Sequence, residues 1–174
     1  MNNRKRVEKL INEISELDLN GEERYRRLLT LTDFALYAGD WARARQLLAS
    51  EDWGRGTKNY TADRRYYWNL YSGIYFSKIK NRGVSESHFK SAYVEGLSYF
   101  GDKDFRVGMV YLLKYLVSGE LRPAGEKQLA SKYLGLMSNA YADSHATLRE
   151  IRRGLNEKSV SPNKPVEMNF DLIT

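Results

Sequence analysis

The sequence predicts an all-α fold built from antiparallel helical hairpins, and three observations lead to this fold class. Apolar residues recur with the helical period along nearly the whole chain, and no window alternates strictly between apolar and polar residues as a half-buried strand does. Only 3 prolines interrupt the 174 residues, and 42% of the residues are hydrophobic, which is enough for one core. We therefore expect a single all-α domain of about eight helices over residues 1–155, followed by an extended or disordered tail over residues 156–174.

The composition excludes several classes of protein. The chain has no cysteine, so disulfides, thiolate zinc sites and cysteine nucleophiles are excluded, and a reducing compartment suits it. The basic residues 1–6 resemble the start of a signal peptide, but Glu8, Lys9 and Glu13 interrupt the apolar stretch that should follow. No run approaches the roughly 18–20 apolar residues that a bilayer span needs. We expect a soluble, cytoplasmic protein without a membrane partner.

The first three predicted helices follow from apolar stripes and their end signals. The stripe of the first helix consists of Val7, Leu10, Ile11, Ile14 and Leu17. Asn20 is the candidate cap of the second helix, and Glu22 and Glu23 fall in its first turn, where carboxylates favour the helix dipole. Its buried face consists of Leu28, Leu31, Phe34, Ala35 and Ala38. Gly39 ends this helix and Asp40 caps the next one, so the short connection predicts an antiparallel hairpin.

Two further hairpins are predicted downstream. A loop over 52–60 leads to a helix from about residue 62 to 80, which is apolar on most sides and should lie between neighbours. Residues 81–84 form the predicted turn into its partner, which begins at Ser85. The third hairpin pairs a helix that carries Phe105, Met109, Leu112, Leu113 and Leu116 with one that carries Leu129, Tyr133, Leu134, Met137 and Tyr141. A basic helix over about residues 144–155 completes the predicted domain.

The first hairpin resembles a tetratricopeptide repeat. In that family a Gly-Asp-aromatic turn follows the first helix, and a small residue on the second helix lets the two helices approach closely. Gly39, Asp40 and Trp41 match the turn, and Ala44 matches the small residue. The full set of matching residues is Leu28, Leu31, Ala35, Gly39, Asp40, Trp41, Ala44 and Leu48. The resemblance implies stacked hairpins with a concave binding face.

The two later hairpins resemble the family only loosely. Their turns lack the Gly-Asp-aromatic step, and the spacings between the turn glycines Gly39, Gly83 and Gly119 exceed the family's period of roughly 34 residues. A tetratricopeptide-like array and an irregular helical bundle therefore remain alternative arrangements.

No pattern in the sequence indicates an enzyme, a cofactor site or a metal site. His88 and His145 fall outside metal-ligand spacings, and each follows polar residues at a predicted helix start, which favours solvated first-turn positions. Gly54-Arg55-Gly56 lacks the rest of a phosphate-binding loop. The paired carboxylates lie at helix ends, where capping explains them. We expect a protein without enzymatic activity, cofactor or metal.

Residues 53–82 are the most distinctive segment because cations and aromatic rings are interspersed there and Asp63 is the only anion in it. Lysine and arginine neutralise phosphates, and exposed rings stack on unpaired bases with about 1–3 kcal/mol each. Tyrosine, tryptophan and arginine also dominate the interfaces between proteins. The alternative is that most of these rings belong to the core. The candidate binding residues are Arg55, Lys58, Tyr60, Arg64, Arg65 and Trp68, and we expect Lys58, Tyr60, Arg64 and Arg65 at the surface.

Two further candidate binding groups lie near the C-terminus. Arg149, Arg152 and Arg153 share the outer face of the last predicted helix, where a solvated face is the alternative explanation. Phe170 and Leu172 belong to a short apolar patch after a polar segment, which either docks in a groove of another protein or packs on its own domain.

These features lead to two functional hypotheses. The first is a non-enzymatic helical-repeat adaptor or chaperone-like protein that binds a protein partner. The net charge of +6 favours an acidic partner. The alternative is a nucleic-acid-associated accessory factor, of a replication or mobile-element type, that binds phosphates or single strands through residues 53–82.

Overall fold

In the computed structural model, the described residues are 9, 12, 13, 21–118 and 124–140, and every regular element among them is helical. The elements are α1 (Gly21–Ala38), α2 (Trp41–Leu48), a 3-10 turn (Glu51–Trp53), α3 (Ala62–Lys78), α4 (Arg82–Phe100), α5 (Phe105–Ser118) and α6 (Ala124–Ala140). The predicted all-α fold class is confirmed. Most of the first predicted helix, the helix over 144–155 and the tail lie outside the described residues, so the total of eight helices stays a prediction.

Consecutive helices pair as three hairpins, α1 with α2, α3 with α4, and α5 with α6. Each hairpin also packs on the next one: α3 contacts both α1 and α2, and α5 contacts both α3 and α4. The first helices of successive hairpins therefore touch each other. In the part of the chain that the structure describes, the second helices α2, α4 and α6 contact one another little or not at all.

The turn between α1 and α2 forms as the sequence predicts. Gly39 adopts a positive φ of 70°, which a residue with a side chain rarely adopts. The Asp40 carboxylate then caps α2 by accepting a hydrogen bond from the Arg43 backbone N–H at 3.0 Å. Ala44 is completely buried where the two helices meet. All of these features are local, and this explains why sequence reasoning found them.

The turn between α3 and α4 differs from the prediction. Helix α4 begins at Arg82, three residues before the predicted start at Ser85. The chain reverses instead at Lys80, which has a φ of 63°, and the Asn81 N–H donates to the Phe76 carbonyl at 2.9 Å. Ser85 is consequently a buried helical residue, and its hydroxyl donates to the Gly73 carbonyl on α3 at 2.8 Å.

The core is rich in aromatic side chains and centres on α3. Trp53 from the 3-10 turn is fully buried, and its ring meets Tyr25 of α1 and Tyr71 of α3 edge-on, with centroids 6.0 and 6.3 Å away. On the opposite side, Tyr66 is buried against α4 and α5, and its hydroxyl donates to the Arg106 carbonyl. Helix α3 is thus surrounded by neighbours, as its apolar residues on several sides predict.

Helix α5 is held in place by a close contact with α6 and by a buried lysine that pairs with two glutamates. A Cβ atom at Gly108 would lie 1.8 Å from the Tyr133 Cβ, so only glycine lets α6 approach this closely. The Lys114 ammonium is 2% exposed and donates to Glu86 of α4 and to Glu126 of α6. These contacts fix α5 to both of its neighbours, although burial of the charges offsets much of their attraction.

Candidate binding sites on two sides of helix α3

One cluster lies where α3 meets α2, α4 and the loop that precedes it. We call this group of Arg55, Tyr60, Trp68, Phe76 and His88 the Trp68 cluster. The Trp68 indole N–H donates to the carbonyl of Leu48 in α2 at 3.0 Å. The Arg55 guanidinium lies 5.0 Å from the centre of the Trp68 ring, and the Tyr60 ring meets it edge-on at 6.5 Å. The loop thereby brings a cation and a second ring onto Trp68.

His88 completes this cluster from α4. Its ring lies edge-on to Trp68 at 5.1 Å and parallel to Phe76 at 5.5 Å, and its Nδ1 is 2.9 Å from the Asn69 side-chain oxygen. Burial lowers the pKa of His88 below its usual 6.5, which favours the neutral imidazole. The predicted solvated first-turn position is wrong because α4 begins three residues earlier and moves His88 into the second turn, against α3.

The structure brings most of the predicted residues of segment 53–82 together. Arg55 and Lys58 are exposed, and Tyr60 is half-buried. The Arg65 guanidinium donates to the Tyr60 carbonyl at 2.7 Å and pairs with Glu95 of α4 at 2.8 Å. Four cationic or aromatic side chains, from Arg55, Tyr60, Arg65 and Trp68, therefore border one region, with Lys58 on the same loop.

Arg64 is the exception among these residues. Its side chain is only 13% exposed, although the sequence predicts it at the surface. The guanidinium pairs with Glu22 at 3.2 Å, donates to the Asp52 carbonyl at 3.0 Å and lies 4.1 Å from the centre of the Tyr25 ring. Arg64 therefore ties α3 to α1, which leaves it little capacity for a partner.

The rings of segment 53–82 are divided between core and surface. Trp53, Tyr66, Tyr71 and Tyr75 are buried. Tyr60, Tyr67, Trp68 and Phe76 are half-buried. The alternative that most of these rings belong to the core therefore holds for the four buried rings, and Tyr67, Trp68 and Phe76 pack against the same core while remaining partly exposed.

A second cluster lies where α3 meets α1, and we call the group of Tyr25, Asp33, Tyr67 and Tyr71 the Asp33 cluster. The buried Tyr71 hydroxyl hydrogen-bonds the Asp33 carboxyl. The other carboxyl oxygen, Oδ1, is buried and has no hydrogen-bond partner among the described residues. Burial of this carboxyl raises its pKa to about 7.

The tyrosines connect the Asp33 cluster to α5. The half-buried Tyr67 hydrogen-bonds the Arg106 guanidinium, and burial raises the pKa of Tyr67 above its usual value. Arg106 is itself held by a two-point contact with the Asp104 carboxylate, at 2.9 and 2.7 Å. On the α1 side, the buried Tyr25 hydroxyl approaches Asp63 but makes no hydrogen bond of ordinary geometry with the described side chains.

Both clusters offer binding chemistry, namely ring stacking, hydrogen bonding and ion pairing. Within the described ranges, no group of three or more histidine, cysteine, aspartate or glutamate residues is arranged to hold a metal ion. A shallow pocket between α1 and α2 places Asp40 beside Arg43 above Leu31 and Leu47, and Asp40 is already occupied as the cap of α2.

Sequence reasoning missed the Asp33 cluster and the role of His88. Asp33 is the only acidic residue within the apolar stretch Leu28–Ala38, and Tyr67 and Tyr71 stand one helical turn apart. These two signals were present, but their juxtaposition depends on how α1 packs against α3. The remaining predicted residues, Arg149, Arg152, Arg153, His145, Phe170 and Leu172, lie outside the described residues and stay predictions.

Comparison with protein-family models, curated proteins and solved structures finds no match to this chain. No described helix is both long and apolar enough to cross a membrane.

Proposed function

We propose that the protein is a non-enzymatic, tetratricopeptide-like adaptor that holds a protein partner against the layer formed by α1, α3 and α5. The packing of the hairpins carries this proposal. Successive first helices touch each other, whereas the described second helices stand apart. Such a difference curves a stack of hairpins toward its first helices, and stacked hairpin proteins use concave surfaces of this kind for binding.

The side chains on this layer support the same function. Tyr37 is 40% exposed, Leu29 is half-buried one helical turn before Asp33, and the half-buried Tyr67 lies near the Asp33 carboxyl. Arg106 extends this surface from α5, with its side chain 40% exposed. Tyrosine and arginine are enriched at the centres of protein interfaces, where rings fill pockets and polar atoms fix the orientation of the partner.

Site-specific photo-crosslinking in cells tests the adaptor proposal. A photo-reactive amino acid replaces Tyr37 on the proposed binding layer in one variant and Val94 on α4 in the matched control, because Val94 is 56% exposed on one of the second helices. We expect a discrete protein adduct from position 37 and none from position 94. Equal adducts at both positions, or adducts with nucleic acid alone, would overturn the proposal.

The Trp68 cluster favours a second candidate function, namely binding of single-stranded nucleic acid. Arg55, Tyr60 and Trp68 are adjacent and Lys58 is exposed, so this region offers rings beside cations. A salt titration of binding to single-stranded DNA and RNA tests it, because each phosphate contact adds to the salt dependence of affinity. Lys58→Ala should reduce the salt slope by about one contact, whereas the exposed control Lys103→Ala should not. Absence of micromolar binding at low salt would exclude this function.

A further inference from the structure

The Asp33 cluster contains buried polar atoms that no group of the described residues hydrogen-bonds. Roughly nine-tenths or more of buried polar groups in proteins have a hydrogen-bond partner, and the exceptions often mark a bound water, ion or ligand. The main exception here is Asp33 Oδ1, and the Tyr25 hydroxyl in the same cluster also lacks a hydrogen bond of ordinary geometry. A carboxylate oxygen accepts hydrogen bonds, so the ligand that matches Asp33 is a donor.

The charges around Asp33 indicate which kind of donor fits. The acidic side chains Glu22, Glu95, Asp104, Glu86 and Glu126 pair with a lysine or arginine. Asp33 differs, because its hydrogen-bond partner is the neutral Tyr71 hydroxyl, and Arg106, which contacts Tyr67, is held by Asp104. A buried carboxyl without a counter-charge among the described residues favours the entry of a cation, which would stabilise its ionised form.

The surroundings of the carboxyl suit a cation on a flexible apolar stem. Leu29 and Tyr37 lie one helical turn to either side of Asp33 on α1, and the half-buried Tyr67 of α3 lies near the Asp33 carboxyl. An apolar stem can pack on Leu29 while its charged end meets tyrosine rings and the carboxylate, an arrangement that combines hydrogen bonding with cation–π attraction.

We propose that Asp33, with Tyr67 and Tyr71, is a receptor site for a primary ammonium or guanidinium group, presented by a lysine or arginine side chain of the protein partner. The identity of the carrier rests on the proposed adaptor function, whereas the cation site itself does not. The protein is basic as a whole, with a net charge of +6. Recognition of a basic side chain therefore depends on this local carboxylate and not on long-range attraction.

Carbon-detected NMR of the aspartate carboxyl groups in the full chain tests the site. The probe is the blocked tripeptide Gly-Lys-Gly, and the matched control is Gly-norleucine-Gly, which keeps the apolar stem and lacks the charge. We expect the lysine peptide to shift the Asp33 carboxyl signal saturably at millimolar concentration and to lower its pKa by about one unit, since a cation favours the ionised carboxylate. The norleucine peptide should do neither. No saturable shift with the lysine peptide would overturn the proposal and indicate a site for water only.

Two variants keep this test decisive. Asp33→Asn preserves the shape of the side chain and should weaken binding of the lysine peptide about tenfold or more. Leu29→Trp replaces the surface on which the apolar stem would pack, and should abolish peptide binding while it leaves the folded chain's own Asp33 signal in place, so it serves if the asparagine variant does not fold. Binding that survives Leu29→Trp would contradict the packing of the stem on Leu29.

A separate comparison identifies the kind of molecule that carries the cation. Free spermidine carries the same ammonium chemistry without a peptide, so spermidine that binds more tightly than the lysine peptide would assign the site to a polyamine and overturn the protein carrier. A crosslink at position 37 without a peptide-induced shift at Asp33 would instead leave the adaptor function standing and remove the cation site.

Discussion

The Trp68 cluster and the Asp33 cluster lie on two sides of the same helix and differ in how completely their polar groups are paired. Around Trp68, the indole N–H, the His88 Nδ1 and the Arg65 guanidinium all have hydrogen-bond partners. Around Asp33, two buried polar atoms make no hydrogen bond of ordinary geometry with any residue that the structure describes. A satisfied cluster stabilises the packing of helices, whereas an unsatisfied one costs stability and persists where a ligand uses it. The comparison therefore indicates a mainly structural role for the first cluster and supports the proposed cation site at the second.

Removal of the Trp68 ring should have the largest effect. If the Trp68 cluster supports the fold, Trp68→Ala loses the ring's contacts with α2, α4 and the loop and should lower the free energy of unfolding by about 3 kcal/mol. Urea denaturation measures this change, and Val94→Ala at an exposed position of α4 is the control with little expected loss. A loss below about 1 kcal/mol would show that the cluster contributes mainly to binding.

Asp33→Asn should raise the free energy of unfolding, by less than Trp68→Ala lowers it. Burial raises the pKa of Asp33 from 3.8 to about 7, so the folded state binds the proton more tightly than the unfolded state. The stability linked to this proton is present below pH 4 and is lost as the pH rises toward 7. The asparagine side chain cannot ionise, and the variant should therefore be more stable than the unsubstituted chain by about 1–3 kcal/mol at pH 8.

The measurement is urea denaturation of both proteins between pH 4 and pH 8. The difference between them should grow with pH across this range. A difference that does not change with pH would show that Asp33 is ionised in the folded protein throughout, and would remove the contrast between the two clusters.

His88 should give a smaller pH effect in the opposite direction. Burial lowers its pKa below 6.5, so the unfolded state binds the proton more tightly. Stability linked to His88 is complete above pH 6.5 and is lost as the pH falls below it. His88→Gln keeps a hydrogen-bonding group opposite Asn69 and should remove this acid-sensitive component, as followed by thermal unfolding at pH 5 and pH 7.5. An unchanged pH dependence would place His88 in solvent.

The Arg65–Glu95 pair should have the smallest effect. The two side chains are 38% and 23% exposed, so solvent screens much of their attraction. A double-mutant cycle with Arg65→Ala and Glu95→Ala should give a coupling energy of about 0.5 kcal/mol that declines with added salt. A coupling several times larger would show that the pair is an essential part of the Trp68 cluster.

The features that sequence reasoning predicted correctly depend on near neighbours in the chain. The Gly39–Asp40 turn between α1 and α2 is one example, because a glycine that adopts positive φ and an aspartate that caps a helix act within four residues. The start of α4 was missed because Lys80 adopts the left-handed conformation, which lysine does not favour by itself and which the packing of α3 on α4 stabilises.

In the candidate site, too, contacts within one segment could be predicted from the sequence, whereas contacts between distant segments could not. The sequence placed Arg55, Tyr60 and Trp68 in one segment, and their meeting could be predicted because a short loop joins them. Asp33 and Tyr71 are far apart in sequence, so their contact depends on how α1 packs against α3. His88 meets Trp68 only because α4 folds back on α3.

The sequence by itself determined the helical class, the position of most turns and the concentration of cations and rings beside α3, because helical periodicity, capping and composition are local properties. Only the tertiary structure decided which rings are buried, which cations are already paired, and which carboxylate oxygen lacks a partner among the described residues. Burial and pairing arise between residues that are distant in sequence, and they determine both the pKa of Asp33 and the unpaired state of its Oδ1 in the described part of the chain.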